Sequence, residues 1–158
     1  MKIDFWKLIA AIAICQLTGA IGSLFTFSAI PSWYTTLVKP SFTPPNWVFG
    51  PVWILLYALM GIAVYLVYET KVKNKKLKEF ALALFGIQLI LNAIWSIVFF
   101  GMQNPLGGLI VIVLLWLSIA ATMVKFYEIN KIAEILMIPY ILWVSFATAL
   151  NYWIWALN

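Results

Sequence analysis

The sequence predicts an all-α membrane protein, a bundle of five transmembrane helices with the N-terminus inside and the C-terminus outside. Three observations lead there. Of 158 residues, 65% are hydrophobic and only 9% are charged. A soluble domain carries about 25% charged residues, and so few charges cannot make a water-facing surface. Five apolar stretches reach the roughly 20 residues that a span needs. Lysine, finally, is distributed with a strong bias between alternate loops.

The stretches are 5–27, 47–68, 80–101, 106–127 and 132–155. The first follows Lys2 and Lys7, and Thr18-Gly19-Ala20 resembles a signal-peptide cleavage site. The run continues toward Ile30, however, which is the length of a span rather than of a signal core. Ile14 also stands where a lipoprotein signal needs a small residue before Cys15. The stretch is therefore read as a retained helix. Ala11, Cys15, Gly19 and Ser23 recur along it every four residues, a stripe that lets a neighbouring backbone come close. The first loop, 28–46, holds Pro31, Pro40, Pro44 and Pro45, which interrupt helix. A charged loop from Glu69 to Glu79 follows the second stretch. Gln103-Asn104-Pro105 is a tight turn, and Glu128 to Lys131 is a short polar one. The whole chain, 1–158, reads as one transmembrane domain.

With five crossings, the N-terminus, second loop and fourth loop share one side. That side collects Lys2, Lys7, Lys71, Lys73, Lys75, Lys76, Lys78, Lys125 and Lys131, with all five acids; the other has only Lys39. Lysine-rich short loops stay inside, which orients the chain. Trp6 at the inner boundary, and Trp33, Trp47, Trp153 and Trp155 at the outer, fit interfacial aromatic belts.

Several functions are excluded. The net charge of +5 comes from ten lysines without arginine, and half of those lysines sit in one loop. That is a loop beside anionic lipid, not a nucleic-acid surface. Histidine is absent and Cys15 is the lone cysteine. An intrachain disulfide is thus impossible, and neither zinc nor a histidine-ligated haem iron has a ligand set. No cofactor is required on this reading. No ionisable residue lies deep in a span, which weakens ion-coupled transport. A Ser-His-Asp set cannot be assembled.

What remains are three stripes in the outer half of the bundle. Phe49, Trp53, Tyr57 and Met60 follow one face of the second helix. Asn92, Trp95, Ser96 and Phe99 do so in the third. Trp143, Phe146, Ala147 and Leu150 do so in the fifth, with Asn151 one turn beyond Ala147. Trp53 lies roughly 9 Å below its helix start, too deep for an interfacial belt. Each residue alone is explained by packing. Three stripes at similar depth suit a flat apolar ligand, with Asn92 needing a polar partner.

The segment Trp33-Tyr34-Thr35-Thr36-Leu37-Val38-Lys39-Pro40-Ser41-Phe42-Thr43-Pro44-Pro45, with Phe49-Gly50-Pro51-Val52-Trp53 after it, resembles the translocator protein family, also called the tryptophan-rich sensory proteins or peripheral benzodiazepine receptors. The resemblance continues in Leu91-Asn92-Ala93-Ile94-Trp95-Ser96 with Phe99-Phe100, and in Pro139-Tyr140 through Leu150-Asn151. It covers nearly the whole chain. It implies a five-helix bundle, often a homodimer, in the plasma membrane of a prokaryote. The implied ligands are porphyrins such as protoporphyrin IX, sterol in animals, and synthetic isoquinoline carboxamides and benzodiazepines. The implied contacts are Tyr34 and Pro44 from the loop, Trp53, Asn92, Trp95, Trp143, Phe146, Ala147 and Leu150. Some bacterial relatives degrade porphyrin in light, and Trp53 and Trp143 are similar to the tryptophans implicated there.

The sterol motif of the animal members is missing, because no Lys or Arg follows Tyr152. Three readings follow: a receptor or sensor of porphyrin-like ligands; a light- and oxygen-dependent porphyrin-degrading protein; and a transporter of tetrapyrroles or lipids. On the first, the partners are a hydrophobic small molecule, membrane lipid and a second copy, with no nucleic acid.

Overall fold

The computed structural model describes residues 3–158, and Lys2 of the lysine count lies outside them. Among the described residues every regular element is helical. Helix α1 (Phe5–Ala29) passes into a π-helical turn, Ile30–Tyr34. A 3₁₀ turn, Asn46–Val48, leads into α2 (Phe49–Glu69). Helix α3 (Lys75–Ser96) ends in a second π turn, Ile97–Gly101, and α4 (Pro105–Ile129) and α5 (Lys131–Leu157) complete the chain. Five helices are long and apolar enough to cross a membrane, as the composition predicts.

Four of the helix starts follow from short polar side chains. Asp4 accepts from the Lys7 N–H, Asn74 from Leu77, Asn104 from Gly107, and Asn130 from Ile132 and Ala133. The Lys7 N–H holds the Asp4 carboxyl below its usual value.

Two boundaries differ from the sequence reading. Residues 75–79 are helix rather than loop. Asn74 caps them and lysine is a good helix former, whereas hydropathy marks only where the membrane ends. The first loop also starts later than 28, because Pro31 does not break the helix. It lies in the first turn of the π segment, whose wider winding tolerates the missing N–H donor.

The helices close a ring in the order α1, α2, α5, α4, α3, back to α1. Met60, Leu115, Ile119, Met137, Tyr140 and Val144 fill the interior. Large apolar side chains such as Leu17, Leu55, Leu117 and Leu142 face outward. Lipid tails are as apolar as leucine, so the helices are held by close approach rather than by hydrophobic expulsion. At Gly61 a Cβ would lie 2.5 Å from the Ile12 Cα, so α1 and α2 cross backbone to backbone there. Gly19 makes room for the Tyr57 ring and Gly22 for Ser96. The small-residue stripe of α1 thus serves packing within the bundle.

At one end, Lys7 Nζ meets Glu69 Oε1 at 2.9 Å, the Asp4 N–H donates to Tyr65 Oη at 2.9 Å, and Asn130 Nδ2 donates to Thr70 Oγ1 at 3.0 Å. The α2–α3 connection, the α4–α5 turn and the start of α1 therefore lie together, carrying the clustered lysines. At the other end the Asn158 side chain bonds to the Val38 backbone, joining the first loop to the end of α5.

Candidate functional site: an aromatic cluster beneath the first loop

The ring order sets α2 beside α5 and lets α3 reach both across the interior. Asn92, on α3, is buried and bonded at both ends of its amide. Its Oδ1 accepts from the Tyr57 hydroxyl of α2 at 2.6 Å, and its Nδ2 donates to the Tyr140 oxygen of α5 at 2.9 Å. Tyr140 in turn donates to Gln88 Oε1 at 2.9 Å. A polar chain thus crosses the centre of the bundle, as an apolar surround demands of buried amides.

Trp53 rests on this chain. Its ring stacks on Tyr57, with centroids 5.5 Å apart, and meets Tyr140 edge-on at 6.3 Å. One turn further out, Trp143 contacts Phe49 of α2 at 5.9 Å and Phe146 of its own helix at 5.5 Å. Phe42 of the first loop comes down on Phe146 at 6.1 Å. Spacings of this size are those of attractive aromatic pairs.

On the α1–α3 side, the two π turns face each other. Tyr34 is buried, 6.5 Å from Phe99 and 5.8 Å from Phe100. Lys39, the one lysine of this end, lies 4.7 Å from the Tyr34 ring centroid and donates to the Tyr34 carbonyl at 2.7 Å. Trp95 stacks on Phe99 at 5.4 Å and donates its N–H to Asn151 Oδ1 at 3.1 Å. Leu150 packs into the same cluster, and Ala147 is buried in the main core. Pro44 is half-buried in the loop.

Tyr34, Trp53, Asn92, Trp95, Trp143, Phe146, Ala147 and Leu150 therefore lie toward the first-loop end of one bundle, in or beside two adjoining clusters that Trp95 joins. Trp53 and Trp143 have different ring neighbours, so they occupy successive depths rather than one plane. Two surface clefts, of about 340 and 430 Å³, lie away from them. One is lined by Leu24, Phe25, Ser28 and Phe100, the other by Trp33, Leu37, Leu106 and Trp155, and Gln103 borders both. The sequence reading names Tyr57 and Tyr140 but gives them no role, and it passes over Gln88. The signal was present, since Gln88 stands one turn before Asn92 and an amide inside a span needs partners.

Five helices long and apolar enough to span a membrane, around a polar-floored aromatic cluster and capped by a proline-rich loop, define a polytopic membrane protein. The chain belongs to the TspO/MBR family, whose model matches residues 11–156. It is 48% identical over 158 residues to the tryptophan-rich protein TspO of Chlorobaculum tepidum, covering 100% of this chain and 99% of that one. It is 35% identical over 158 residues to the tryptophan-rich sensory protein of Cereibacter sphaeroides, covering 100% and 95%. With the human translocator protein it shares 38% identity over 138 residues, covering 87% and 82%.

Proposed function

We propose that this protein is a membrane receptor or sensor for porphyrin-like ligands, protoporphyrin IX foremost, and for other flat hydrophobic molecules. The ligand enters between α2, α3 and α5 beneath the first loop, with the N-terminus of the protein inside a prokaryotic plasma membrane. The observation that carries the reading is the series Phe42, Phe146, Trp143 and Phe49, in edge-on and tilted ring contacts, above the stacked pair Trp53 and Tyr57. Ring-on-ring contacts between separate helices are readily exchanged for ring-on-ligand contacts of the same geometry. The names of the relatives, sensory and translocator, agree with a ligand-handling role.

Titration of the purified protein with protoporphyrin IX, followed by quenching of tryptophan fluorescence, tests this. Saturation at one site per chain is expected. Quenching that never saturates and matches that of empty micelles would overturn it. Loss of porphyrin under light only when oxygen is present would instead mark a degrading activity, and flux across sealed proteoliposomes would mark a transporter.

A further inference from the structure

The polar chain at the floor of the cluster has a direction. Tyr57 gives its proton to Asn92 Oδ1, Asn92 Nδ2 donates to Tyr140, and Tyr140 gives its proton to Gln88 Oε1. Each hydroxyl proton and each amide oxygen of the chain is engaged. What is left over is N–H. Gln88 is fully buried, and no described group accepts from its Nε2. Trp143, one turn along α5 from Tyr140, has a buried indole N–H that is equally without an acceptor. Buried polar groups are ordinarily paired, and an unpaired one is costly. Ser118 Oγ of α4 is a third buried polar atom without a partner among the described residues, but as a hydroxyl it can accept as well as donate, whereas the Gln88 Nε2 and Trp143 indole groups can only donate. Buried donors of this kind are complementary to oxygen acceptors.

We propose that Gln88, together with the indole N–H of Trp143, makes this site selective for ligands that carry a carbonyl or carboxylate oxygen, against hydrocarbons of the same shape. The inference rests on the porphyrin-receptor reading above and assigns its polar specificity. Asn92, whose amide is already held by two tyrosines, orients the floor and is a positioning residue rather than the main anchor. A site built around a hydrogen-bond donor rejects the analogue that lacks the acceptor, because the donor then stays buried and unpaired.

Three porphyrins with one macrocycle provide the test: protoporphyrin IX with two carboxylates, its dimethyl ester with two ester carbonyls, and etioporphyrin with alkyl groups only. In the native protein the acid and the ester should each bind about tenfold or more tighter than etioporphyrin. In Gln88→Met the three affinities should come within about threefold, through loss of the acid and ester rather than gain of etioporphyrin. Gln88→Asn keeps an amide N–H at the same position while shortening its reach to Tyr140, so it should retain more of the discrimination than Gln88→Met. That outcome separates a role in recognition from one in packing.

Unchanged ratios in Gln88→Met overturn the proposal, and this is the result expected if water pairs with the amide. Equal loss in Gln88→Met and Gln88→Asn also overturns it. An ester that binds no better than etioporphyrin does so too, since charge rather than hydrogen bonding would then decide. If no porphyrin binds the native protein at all, the receptor reading itself has failed, which is a distinguishable result.

Discussion

Asn158 holds the backbone of Val38 in both directions, accepting from its N–H at 3.0 Å and donating to its carbonyl at 2.9 Å. The same amide nitrogen also donates to the Ile154 carbonyl at 2.8 Å, so the clasp is tied to the last turn of α5. The first loop is thereby pinned beside the aromatic cluster that it covers. Asn158→Ala removes these bonds at an exposed site, where each contributes at the low end of about 0.5–1.5 kcal/mol. Global stability should barely change, but amide exchange in residues 35–45 should quicken. Unaltered exchange at Val38 would show that the clasp does not hold the loop.

Helix crossing at Gly61 gives a sharper stability test. A methyl group there would meet the Ile12 backbone at 2.5 Å, and backbone cannot turn aside as a side chain can. Gly61→Ala should cost about 1–3 kcal/mol in detergent unfolding. Gly50, in the first turn of α2, has nothing within 4 Å of the corresponding position. Gly50→Ala should be neutral or stabilising by up to about 1 kcal/mol, because alanine is the better helix former. Equal effects at the two sites would remove the argument for backbone contact.

Orientation follows from lysine clustering and is read directly by labelling. In a Cys15→Ala background, which removes the one buried thiol, cysteines are placed at exposed Ser41 and exposed Lys73. An impermeant thiol reagent added to intact cells should modify Ser41→Cys at once, and Lys73→Cys only after the membrane is opened. The reverse pattern would place the N-terminus outside.

Much of this architecture is visible before any coordinates, and the part that is not has physical causes. A span announces itself because lipid demands about 20 apolar residues in a row. The stripes carrying Trp53, Asn92 and Trp143 are visible because helical period is written into residue spacing. The π turns at Ile30–Tyr34 and Ile97–Gly101 leave no compositional mark, and Pro31 looks like a breaker until the wider turn is seen to admit it. Nor does spacing say that α2 lies beside α5. Without that neighbour relation Asn92 looks free to anchor a ligand, although Tyr57 and Tyr140 occupy both ends of its amide. Gln88 escapes notice because the search for chemistry inside a span favours ionisable groups.

Gly86 leaves an open position on the outside of α3. Nothing lies within 4 Å of where its Cβ would be, and Ile87 and Ile90 beside it are exposed. Leu82, one turn before Gly86, packs against the core instead, so a second copy would meet Gly86 and Ile90. We expect a homodimer by light scattering in mild detergent. Gly86→Leu fills space that the monomer leaves open, so it should spare the fold and shift the mass toward monomer. A monomeric native protein, unchanged on adding lipid, would count against this face.

The tryptophans decide whether the cluster is a binding site or only a packed core. Trp53 is backed by Tyr57 and Tyr140, Trp143 by Phe49 and Phe146, and a flat ligand inserted between these layers gains a wall on each side. Each aromatic wall contributes roughly 1–3 kcal/mol through burial and stacking. Trp53→Ala and Trp143→Ala should therefore each weaken protoporphyrin binding by about tenfold or more, as 1.4 kcal/mol is a factor of ten. Trp116 is the control. It lies in α4, outside the three stripes, and donates its N–H to Ser145 Oγ at 2.8 Å. Trp116 is half-buried against the core, and Trp116→Phe keeps an aromatic ring there while losing the bond to exposed Ser145, so it should leave the affinity within about twofold, with only a small fall in Tm. Fluorescence quenching reads the affinity, and thermal unfolding of each variant separates lost binding from lost fold. Normal binding by both Trp53 and Trp143 variants, with failure of Trp116→Phe, would mean that the stripes are packing alone and that ligand binds elsewhere.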